Sequence, residues 1–240
     1  MKSIHQYLDT VVSSINQFKT EQSDLIKQAA QIIAKQLIEG HNLYVFGSGH
    51  SHMIAEEMYA RAGGLAQVKG LFASDLMLHE FPNKSSMMER LEGYGNQLLD
   101  LYPINNHDVL IIVSNSGRNS VILDLALEAK RRNIYTIGIT SLKHSSQVTS
   151  RHHSGQLLKD VVDLVLDTQT PKGDAGFYLD GLDTPVGPLS SLMGILIVET
   201  LSVAIVEEAL SLGVTLPVFR SSNVDGADDY NNSLFKQFHQ

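Results

Sequence analysis

The chain has 240 residues and a mass of 26.4 kDa, and its hydrophobic fraction of 43% is enough to fill a core. Against 26 acidic side chains there are 18 Lys and Arg, so the formal net charge is −8, and the basic residues do not cluster. We therefore expect neither nucleic acid nor an acidic membrane as a partner. The lack of cysteine excludes disulfides, thiolate metal ligands and a cysteine nucleophile.

The first 40 residues predict two amphipathic helices with a break near Thr20. Apolar residues recur at steps of three and four on each side of the break: Ile4, Leu8, Val11, Val12, Ile15 and Phe18, then Leu25, Ile26, Ala29, Ala30, Ile33 and Leu37. This polar start lacks an apolar signal core, so we expect a cytoplasmic protein. The most apolar stretch, residues 194–210, is interrupted by three Glu, which argues against a membrane span.

Several segments have the pattern of a buried strand that enters a polar turn. The predicted strands are 43–46, 109–113, 135–139 and, more weakly, 161–166. The first leads into Gly-Ser-Gly-His-Ser at 47–51 and a helix expected over 51–62, and the second leads into Ser-Asn-Ser-Gly at 114–117 and another helix. Helical patterns between the strands predict right-handed crossovers, hence a parallel sheet covered on both faces.

The stretch 172–188 holds four Gly and two Pro and predicts a long irregular loop, whose length favours a functional role. A helix is expected to follow over 188–211. With neither a repeat nor a clear boundary, residues 1–240 are interpreted as a single domain. Within it, 1–40 form the helical pair, and 41–240 form the sheet core, the C-terminal helix and the tail.

Small polar residues follow three of the predicted strands: Ser48, Ser114, Asn115, Ser116, Thr140 and Ser141. The carboxyl ends of parallel strands meet at one edge, so these side chains are expected to share a crevice. A hydroxyl-rich turn at a helix N-terminus offers phosphate several N–H donors and the positive end of the helix dipole. Simple helix capping is the alternative for residues 114–119. A dinucleotide site is disfavoured because His52 stands where the fingerprint requires its third glycine.

In their strand-turn-helix settings, residues 47–51 and 114–117 resemble the SIS (sugar isomerase) domain, and the resemblance spans nearly the whole chain. Further segments resemble a subgroup of SIS domains labelled as phosphoheptose isomerases: 76–80, 89–94, 150–155, 217–219 and 223–226. The resemblance implies a doubly wound three-layer α-β-α sandwich with a five-stranded parallel sheet. It also implies a phosphorylated sugar as ligand, no nucleotide or redox cofactor, and a homodimer or higher homo-oligomer with shared sites.

The resemblance places the phosphate site on one turn and the first loop: Ser48, Ser114, Asn115, Ser116, Gly117 and Asn119. Relatives usually hold Ser or Thr where Asn119 stands, and an amide can donate to phosphate as a hydroxyl does. Zinc-assisted relatives use a His and a Glu one turn apart, at positions that correspond to Glu57 and Arg61. A cation at Arg61 disfavours a metal held in that way, so no metal is expected.

Isomerisation requires a base that moves a proton between adjacent carbons and a group, such as His, that helps to open the ring. Glu80 lies beside an apolar run, is expected to be partly buried, and is therefore the leading base. The other catalytic candidates are His52, Glu57 and His153, of which the last is expected to reach a neighbouring subunit's site. Helix capping or a surface position remains the alternative for each of them. Glu89 and Glu92 are weaker candidates, for which a place at a helix start near its positive end is the alternative.

These residues favour an aldose–ketose isomerase that acts on a sugar or amino-sugar phosphate through an enediolate. Two alternatives stay open. One is a phosphosugar lyase, because SIS etherases release lactate from a phosphorylated sugar. The other is a non-catalytic phosphosugar sensor that works through a partner protein, since the first 40 residues carry too little charge to bind DNA. The N-terminal helices are expected to form the subunit interface.

Overall fold

The computed structural model describes residues 2–239, and its centre is a five-stranded parallel sheet. The strands are β1 (Leu43–Gly47), β2 (Val68–Gly70), β3 (Val109–Val113), β4 (Tyr135–Thr140) and β5 (Leu164–Asp167), in the spatial order β2-β1-β3-β4-β5. Leu43 pairs with Val68 on one side and Val109 on the other, and Val109 pairs with Tyr135. The strand order reverses at β1 and β3, which is where doubly wound sheets open a crevice.

Two layers of helices bury the two faces of this sheet. One layer contains α1 (Lys2–Ile38), α2 (His52–Met58) and α8 (Ser190–Ser211), and the other contains α4 (Tyr94–Asp100), α5 (Ser120–Arg131) and α7 (Leu158–Val161). Alternate residues of a strand face opposite layers: in β3, Ile111 belongs to the first core and Ile112 to the second. This arrangement confirms the predicted three-layer α/β fold.

The N-terminal pair of helices is one helix in the structure, so the predicted break near Thr20 is wrong. Thr20 Oγ1 donates to the Asn16 carbonyl oxygen at 3.0 Å, which satisfies the hydroxyl without interrupting the helix. Phe18 and Ile26 are both buried on the same side of α1, so its inward face continues past Thr20. The helix ends before Gly40, whose φ of +90° suits a residue without Cβ.

Other predicted bounds change where the backbone turns. Helix α2 ends at Met58 rather than near residue 62, and Ala60 follows in a left-handed conformation with φ +49°. The fourth predicted strand starts late, at Leu164, because residues 158–161 form α7. Asp160 Oδ2 accepts the Leu157 N–H at 3.2 Å at the start of that helix.

Some elements have no counterpart in the sequence prediction. Strand β2 has three residues, too few for an alternating pattern. The stretch predicted as an irregular loop contains the antiparallel strands β6 (Ala175–Phe177) and β7 (Val186–Pro188). The remaining helices are α3 (Pro82–Met88), α6 (Leu142–Ser145) and α9 (Ala227–Phe238). Helices α3 and α6 matter most for function, because the segments around them reach the edge of the sheet where strands end.

Helix α8 is the one helix within residues 2–239 that is long and apolar enough to cross a membrane. Its contacts account for part of that composition, because it packs against α1 and α2 beneath the sheet and buries Met193, Ile197 and Leu201, whereas Val203 and Leu210 are exposed. The Glu199 carboxylate on this helix accepts a hydrogen bond from Arg61 Nη1 at 3.0 Å. The helix is therefore a core element of this fold.

Candidate functional site

The turn between β3 and α5 curls around the start of the helix. Ser114 Oγ accepts a hydrogen bond from the Gly117 N–H at 3.1 Å, and Gly117 has a left-handed φ of +61°. A Cβ at Gly117 would lie 2.9 Å from Leu158 Cβ, so both the backbone conformation and the available space require glycine. Asn119 occupies the N-cap position of α5. The turn thus presents the positive end of a 12-residue helix to the strand ends.

Asn115 links the ends of three strands. Its Oδ1 accepts hydrogen bonds from Thr168 Oγ1 at 3.0 Å and Thr170 Oγ1 at 2.8 Å, both just beyond β5. Its carbonyl oxygen accepts from Thr140 Oγ1 at 3.2 Å and the Ser141 N–H at 3.0 Å, at the end of β4. The buried Nδ2 has no hydrogen-bond partner among residues 2–239. It is therefore a fixed donor that a ligand can satisfy.

The first loop places a hydroxyl against a carboxylate. Ser48 follows β1, is buried, and donates from Oγ to Glu89 Oε2 at 3.1 Å. Glu89 directly follows α3 and is half-buried, so the alternative of a place at a helix start is wrong for it. Burial raises the pKa of Glu89, while the hydrogen bond from Ser48 and the charges of Arg151 and Arg90 oppose the rise. A carboxyl group in this state is suited to take up and return a proton.

Asp174 ties the loop before β6 to the start of α8. Its Oδ1 accepts the N–H groups of Leu189 at 3.0 Å and Ser190 at 2.6 Å, and its Oδ2 accepts Ser190 Oγ at 2.6 Å. These bonds satisfy donors that the first turn of a helix leaves free. The loop is thereby held at the same edge of the sheet as the β3–α5 turn.

His144 lies on α6, just beyond β4. Its main-chain N–H donates to Ser141 Oγ at 3.0 Å, and its ring Nδ1 is buried without a hydrogen-bond partner in the described part of the chain. Burial lowers the pKa of His144; the charge of Asp174 opposes this, and Arg118 and Lys172 lower the pKa further. The imidazole is therefore mainly neutral at pH 7, and a neutral ring can both donate and accept a proton.

Together these groups line one open cavity of about 300 Å³, which we call the strand-end cleft. Its polar wall includes Ser48, Glu89, Ser114, Asn115, Ser116, Asn119, His144, Asp174 and Ser190. The cleft combines several hydrogen-bond donors, a carboxyl group of raised pKa and a neutral imidazole. It can hold an anionic group at the β3–α5 turn, and its wall also offers two groups that can transfer protons.

Arginines stand around this cleft although the whole chain is acidic. Arg151 Nη1 donates to Asn119 Oδ1 at 2.8 Å. Burial lowers the pKa of Arg151, and the like charges of Arg118 and Arg90 lower it further, which reflects how close these cations are to each other. A group of cations beside a polar cleft gives a local positive field that favours an anion.

The structure brings the predicted phosphate residues together. The lining of the strand-end cleft includes Ser48, Ser114, Asn115, Ser116 and Asn119, and Gly117 shapes the same turn. The expected crevice at the strand ends is therefore present. The phosphate-binding role of these residues stays a prediction.

The structure places the predicted catalytic residues away from the lining of this cleft. Glu80 is 53% exposed and accepts a hydrogen bond from Lys84 at 2.7 Å, so the expected partial burial is wrong. His52 is buried on α2 beside Glu56. His153 is exposed, and its Nδ1 lies 2.9 Å from Glu92 Oε2 of its own chain. Their catalytic roles stay predictions.

Glu57, the remaining catalytic candidate, forms an ion pair with Arg61 one turn later on the chain. Arg61 also contacts Glu199 on α8. The two positions that correspond to the metal ligands of zinc-assisted relatives thus hold a carboxylate and a cation that pair with each other. The residues present do not fit that zinc site.

Sequence reasoning missed His144 and Asp174 as residues of the cleft and gave Glu89 only as a weaker candidate. The available signal for His144 was its position four residues after Thr140, at the end of β4. Glu89 and Asp174 offered no such signal, because neither follows a strand of the main sheet. Only the packing of α3 and of the loop before β6 brings their carboxylates to the strand ends.

Comparison with known proteins agrees with this architecture. Residues 6–141 match the family model described as SIS domain. The UPF0309 protein of Halalkalibacterium halodurans is 43% identical over 233 residues, which cover 97% of this chain and 95% of that protein.

Solved structures of the same fold are more distant. A phosphoheptose isomerase from Francisella tularensis has a TM-score of 0.55 at 18% identity, covering 85% of this chain and 96% of that chain. The sugar isomerase domain of an RpiR transcription factor from Sphaerobacter thermophilus has a TM-score of 0.52 at 14% identity, covering 100% and 99%. At these identities the likeness is one of fold. The family match and the UPF0309 relative go further and confirm the resemblance: the chain belongs to the SIS domain family and groups there with the UPF0309 proteins.

Proposed function

We propose that the strand-end cleft binds a phosphosugar and interconverts its aldose and ketose forms. The observation that carries this proposal is the presence in one cleft of an unpartnered donor, Asn115 Nδ2, and a half-buried carboxyl group, Glu89. Membership of the SIS family and the fold shared with a phosphoheptose isomerase support a phosphosugar as the ligand.

The phosphate group is held at the β3–α5 turn in this proposal. Hydroxyls of Ser114 and Ser116, the Asn115 amide and the N-terminal end of α5 supply donors without a dedicated cation. The arginines around the cleft add a longer-range attraction for the dianion. Hydrogen bonds to a charged group are stronger than hydrogen bonds between neutral groups. These contacts therefore supply most of the free energy with which the phosphate group binds.

Glu89 is the proposed base. Its carboxylate removes the proton from C2 of the open-chain aldose, which leaves an enediolate. The protonated carboxyl group returns that proton to C1 while the proton of the O2 hydroxyl passes to O1, which gives the ketose. Burial favours this role because it raises the pKa of Glu89 and so makes the carboxylate a stronger base. The reaction is an internal redox change and needs no nucleotide or redox cofactor.

His144 is the proposed group for ring opening. Its neutral imidazole accepts the proton of the O1 hydroxyl and returns a proton to the ring oxygen, so that the bond between C1 and the ring oxygen breaks and C1 becomes the carbonyl carbon. The buried and unpartnered Nδ1 at the wall of the cleft motivates this role.

We also propose that two copies associate through α1. Large apolar side chains with 36–55% exposure follow one stripe of this helix: Ile4, Leu8, Val12 and Ile15. Val186 on β7 and Leu179 line the same apolar groove as Ile4 and Leu8. A second copy that covers the stripe removes this surface from water. Asp174 lies in the loop that leads into β6, so a partner on this hairpin would also lie near the cleft.

Asn115→Asp tests the phosphate site, since the substitution keeps the Oδ1 acceptor for Thr168 and Thr170 but replaces the donor with a negative charge. Thermal unfolding with hexose 6-phosphates, heptose 7-phosphates and inorganic phosphate should show stabilisation of the wild-type protein, about 2.7 kcal/mol at one hundred times Kd. Free sugars should give none. The variant should bind about 10–100-fold more weakly, whereas Asn232→Asp, an equal charge change on exposed α9, should bind normally. Equal binding by both variants contradicts the site.

Glu89→Gln tests the base against the prediction for Glu80. With a sugar phosphate that stabilises the protein, Glu89→Gln should still bind but should lose both product formation and exchange of the C2 proton with D2O. Glu80→Gln should retain both. The base acts in its ionised form, and burial raises the pKa of Glu89. As the pH is lowered, activity should therefore begin to fall at a higher pH than it would with an ordinary glutamate.

Three results would redirect this assignment. Loss of turnover in Glu80→Gln alone would make Glu80 the base. Binding by the wild-type protein without any proton exchange would favour the sensor, a function that the likeness in fold to a transcription factor's sugar isomerase domain also allows. Release of lactate from a lactyl sugar phosphate would identify a lyase.

His144→Gln tests ring opening, because a substrate that cannot close a ring bypasses the step. An aldotetrose 4-phosphate has its O4 esterified and stays open, whereas an aldohexose 6-phosphate is mostly cyclic. The variant should lose about 10²–10⁴-fold in kcat on the hexose phosphate and change little on the tetrose phosphate. An equal loss on both substrates would assign His144 to another step.

Light scattering during size exclusion tests the interface. The wild-type protein should elute with at least twice the 26.4 kDa of one chain. Combined Leu8→Glu and Val12→Glu substitutions should give a monomer, since they place charges within the apolar stripe. Ser13→Glu, on an exposed part of α1 outside the stripe, should leave the mass unchanged. A wild-type monomer at micromolar concentration would rule out the proposed dimer.

A further inference from the structure

Outside the strand-end cleft, three side chains with metal-binding atoms converge on α2. His52 and Glu56 lie one turn apart on this helix, and His79 reaches them from the segment between β2 and α3. One ligand atom from each residue lies within 4.8 Å of the others. His52 is buried, whereas Glu56 and His79 are exposed. The group is therefore anchored in the core and open to solvent on its outer side.

The contact between His52 and Glu56 has an unusual geometry. His52 Nε2 lies 3.0 Å from Glu56 Oε1. The distance suits a hydrogen bond, but the direction of the contact does not, and Nε2 makes no hydrogen bond within residues 2–239. The His52 side chain is only 4% exposed, so water cannot easily satisfy this atom. A buried polar atom in this state requires another partner.

A metal ion accounts for both facts. Two ligand atoms about 2.0–2.1 Å from a tetrahedral zinc ion lie about 3.3 Å apart, close to the separation of Nε2 and Oε1. Neutral imidazole and carboxylate both offer lone pairs, and two His with one Glu are typical ligands of zinc and other late first-row divalent ions. Mg²⁺ prefers oxygen ligands, so a site with two imidazoles does not suit it.

The structure contains a second group of this kind, Glu92 with His152 and His153, which serves as a contrast. There His152 Nε2 lies 3.2 Å from Asp124 Oδ1, and its Nδ1 lies 2.8 Å from Ser154 Oγ. Nδ1 of the buried histidine thus has a hydrogen-bond partner, and Nε2 faces a carboxylate outside the group. A metal would have to displace them.

We infer that His52, Glu56 and His79 form a binding site for a zinc-type divalent cation, with water in the fourth position. The site differs from the one that zinc-assisted relatives use, because the corresponding residues here, Glu57 and Arg61, are bound to each other. The ion would join the segment that carries His79 to α2. Leu78, the neighbour of His79, lines the strand-end cleft, so the ion would hold one wall of the cleft in place.

Metal titration of the chelator-treated full chain tests this site with zinc and with Co²⁺, whose visible spectrum reports coordination number and ligands. We expect one ion per chain and the spectrum of a four-coordinate site. His79→Gln and Glu56→Gln are the test variants, because both side chains are exposed and the fold should tolerate their loss. Loss of an outer-shell partner weakens metal binding about 10–100-fold. Each of these variants lacks a direct ligand, so its affinity for the ion should fall by at least that factor.

His153→Gln is the matched control, since it removes an exposed histidine of the second group. Its affinity for zinc should equal that of the wild-type protein. The inference is overturned if the wild-type chain binds no ion below millimolar concentration, if His79→Gln and Glu56→Gln bind as the wild type does, or if His153→Gln alone loses the ion. None of these measurements depends on turnover of a sugar phosphate.

Discussion

The hydrogen bonds of Asn115 hold the functional edge of this protein together. Its Oδ1 accepts from the hydroxyls of Thr168 and Thr170, and its carbonyl oxygen accepts from Thr140 and Ser141, so the ends of β3, β4 and β5 share one residue. With Oδ1 engaged by two hydroxyls, Nδ2 is the amide atom left without a partner within residues 2–239. The same interactions that stabilise the strand ends thus fix the position of the donor that we propose for the phosphate.

The local charge beside the cleft is opposite in sign to the net charge of the whole chain. The formal charge is −8, yet three arginines lie close together beside the cleft, where burial and the like charges of Arg118 and Arg90 lower the pKa of Arg151. The donors in the wall are mostly neutral, so they attract an anion without an ion pair that would have to be desolvated. The carboxyl group of Glu89 lies within the same region, and burial keeps its pKa high. A phosphate and a proton-accepting group can therefore coexist in one small volume.

The segment between β2 and β3 contributes side chains to both proposed sites. Leu78, Ser85 and Glu89 reach the cleft from it, and His79 reaches α2. One ligand of the proposed metal site, His79, and the proposed base thus belong to one stretch of chain, although they do not touch the same ligand. Movement of this stretch would change both sites together, whereas the β3–α5 turn is fixed by the strands behind it.

Local sequence was enough to predict the layered α/β fold and the polar residues of the cleft edge. Buried strands are short apolar runs, helices repeat at three and four residues, and the ends of parallel strands meet wherever the sheet forms. Ser114, Asn115 and Ser116 follow a strand directly, so their shared location follows from the topology alone.

The choice of the proposed acid-base groups depends on tertiary packing. Glu80 and Glu89 both lie in a segment of weak periodicity, and the chain itself does not say which of them turns inward. The packing of α3 exposes Glu80 and half-buries Glu89 against Ser48. In the same way only the fold brings His79 to His52 and Glu56, which already lie one turn apart on α2. Sequence determines which groups stand at the ends of strands, because that relation is local, whereas the partners that arrive from irregular segments depend on contacts between residues far apart in the chain.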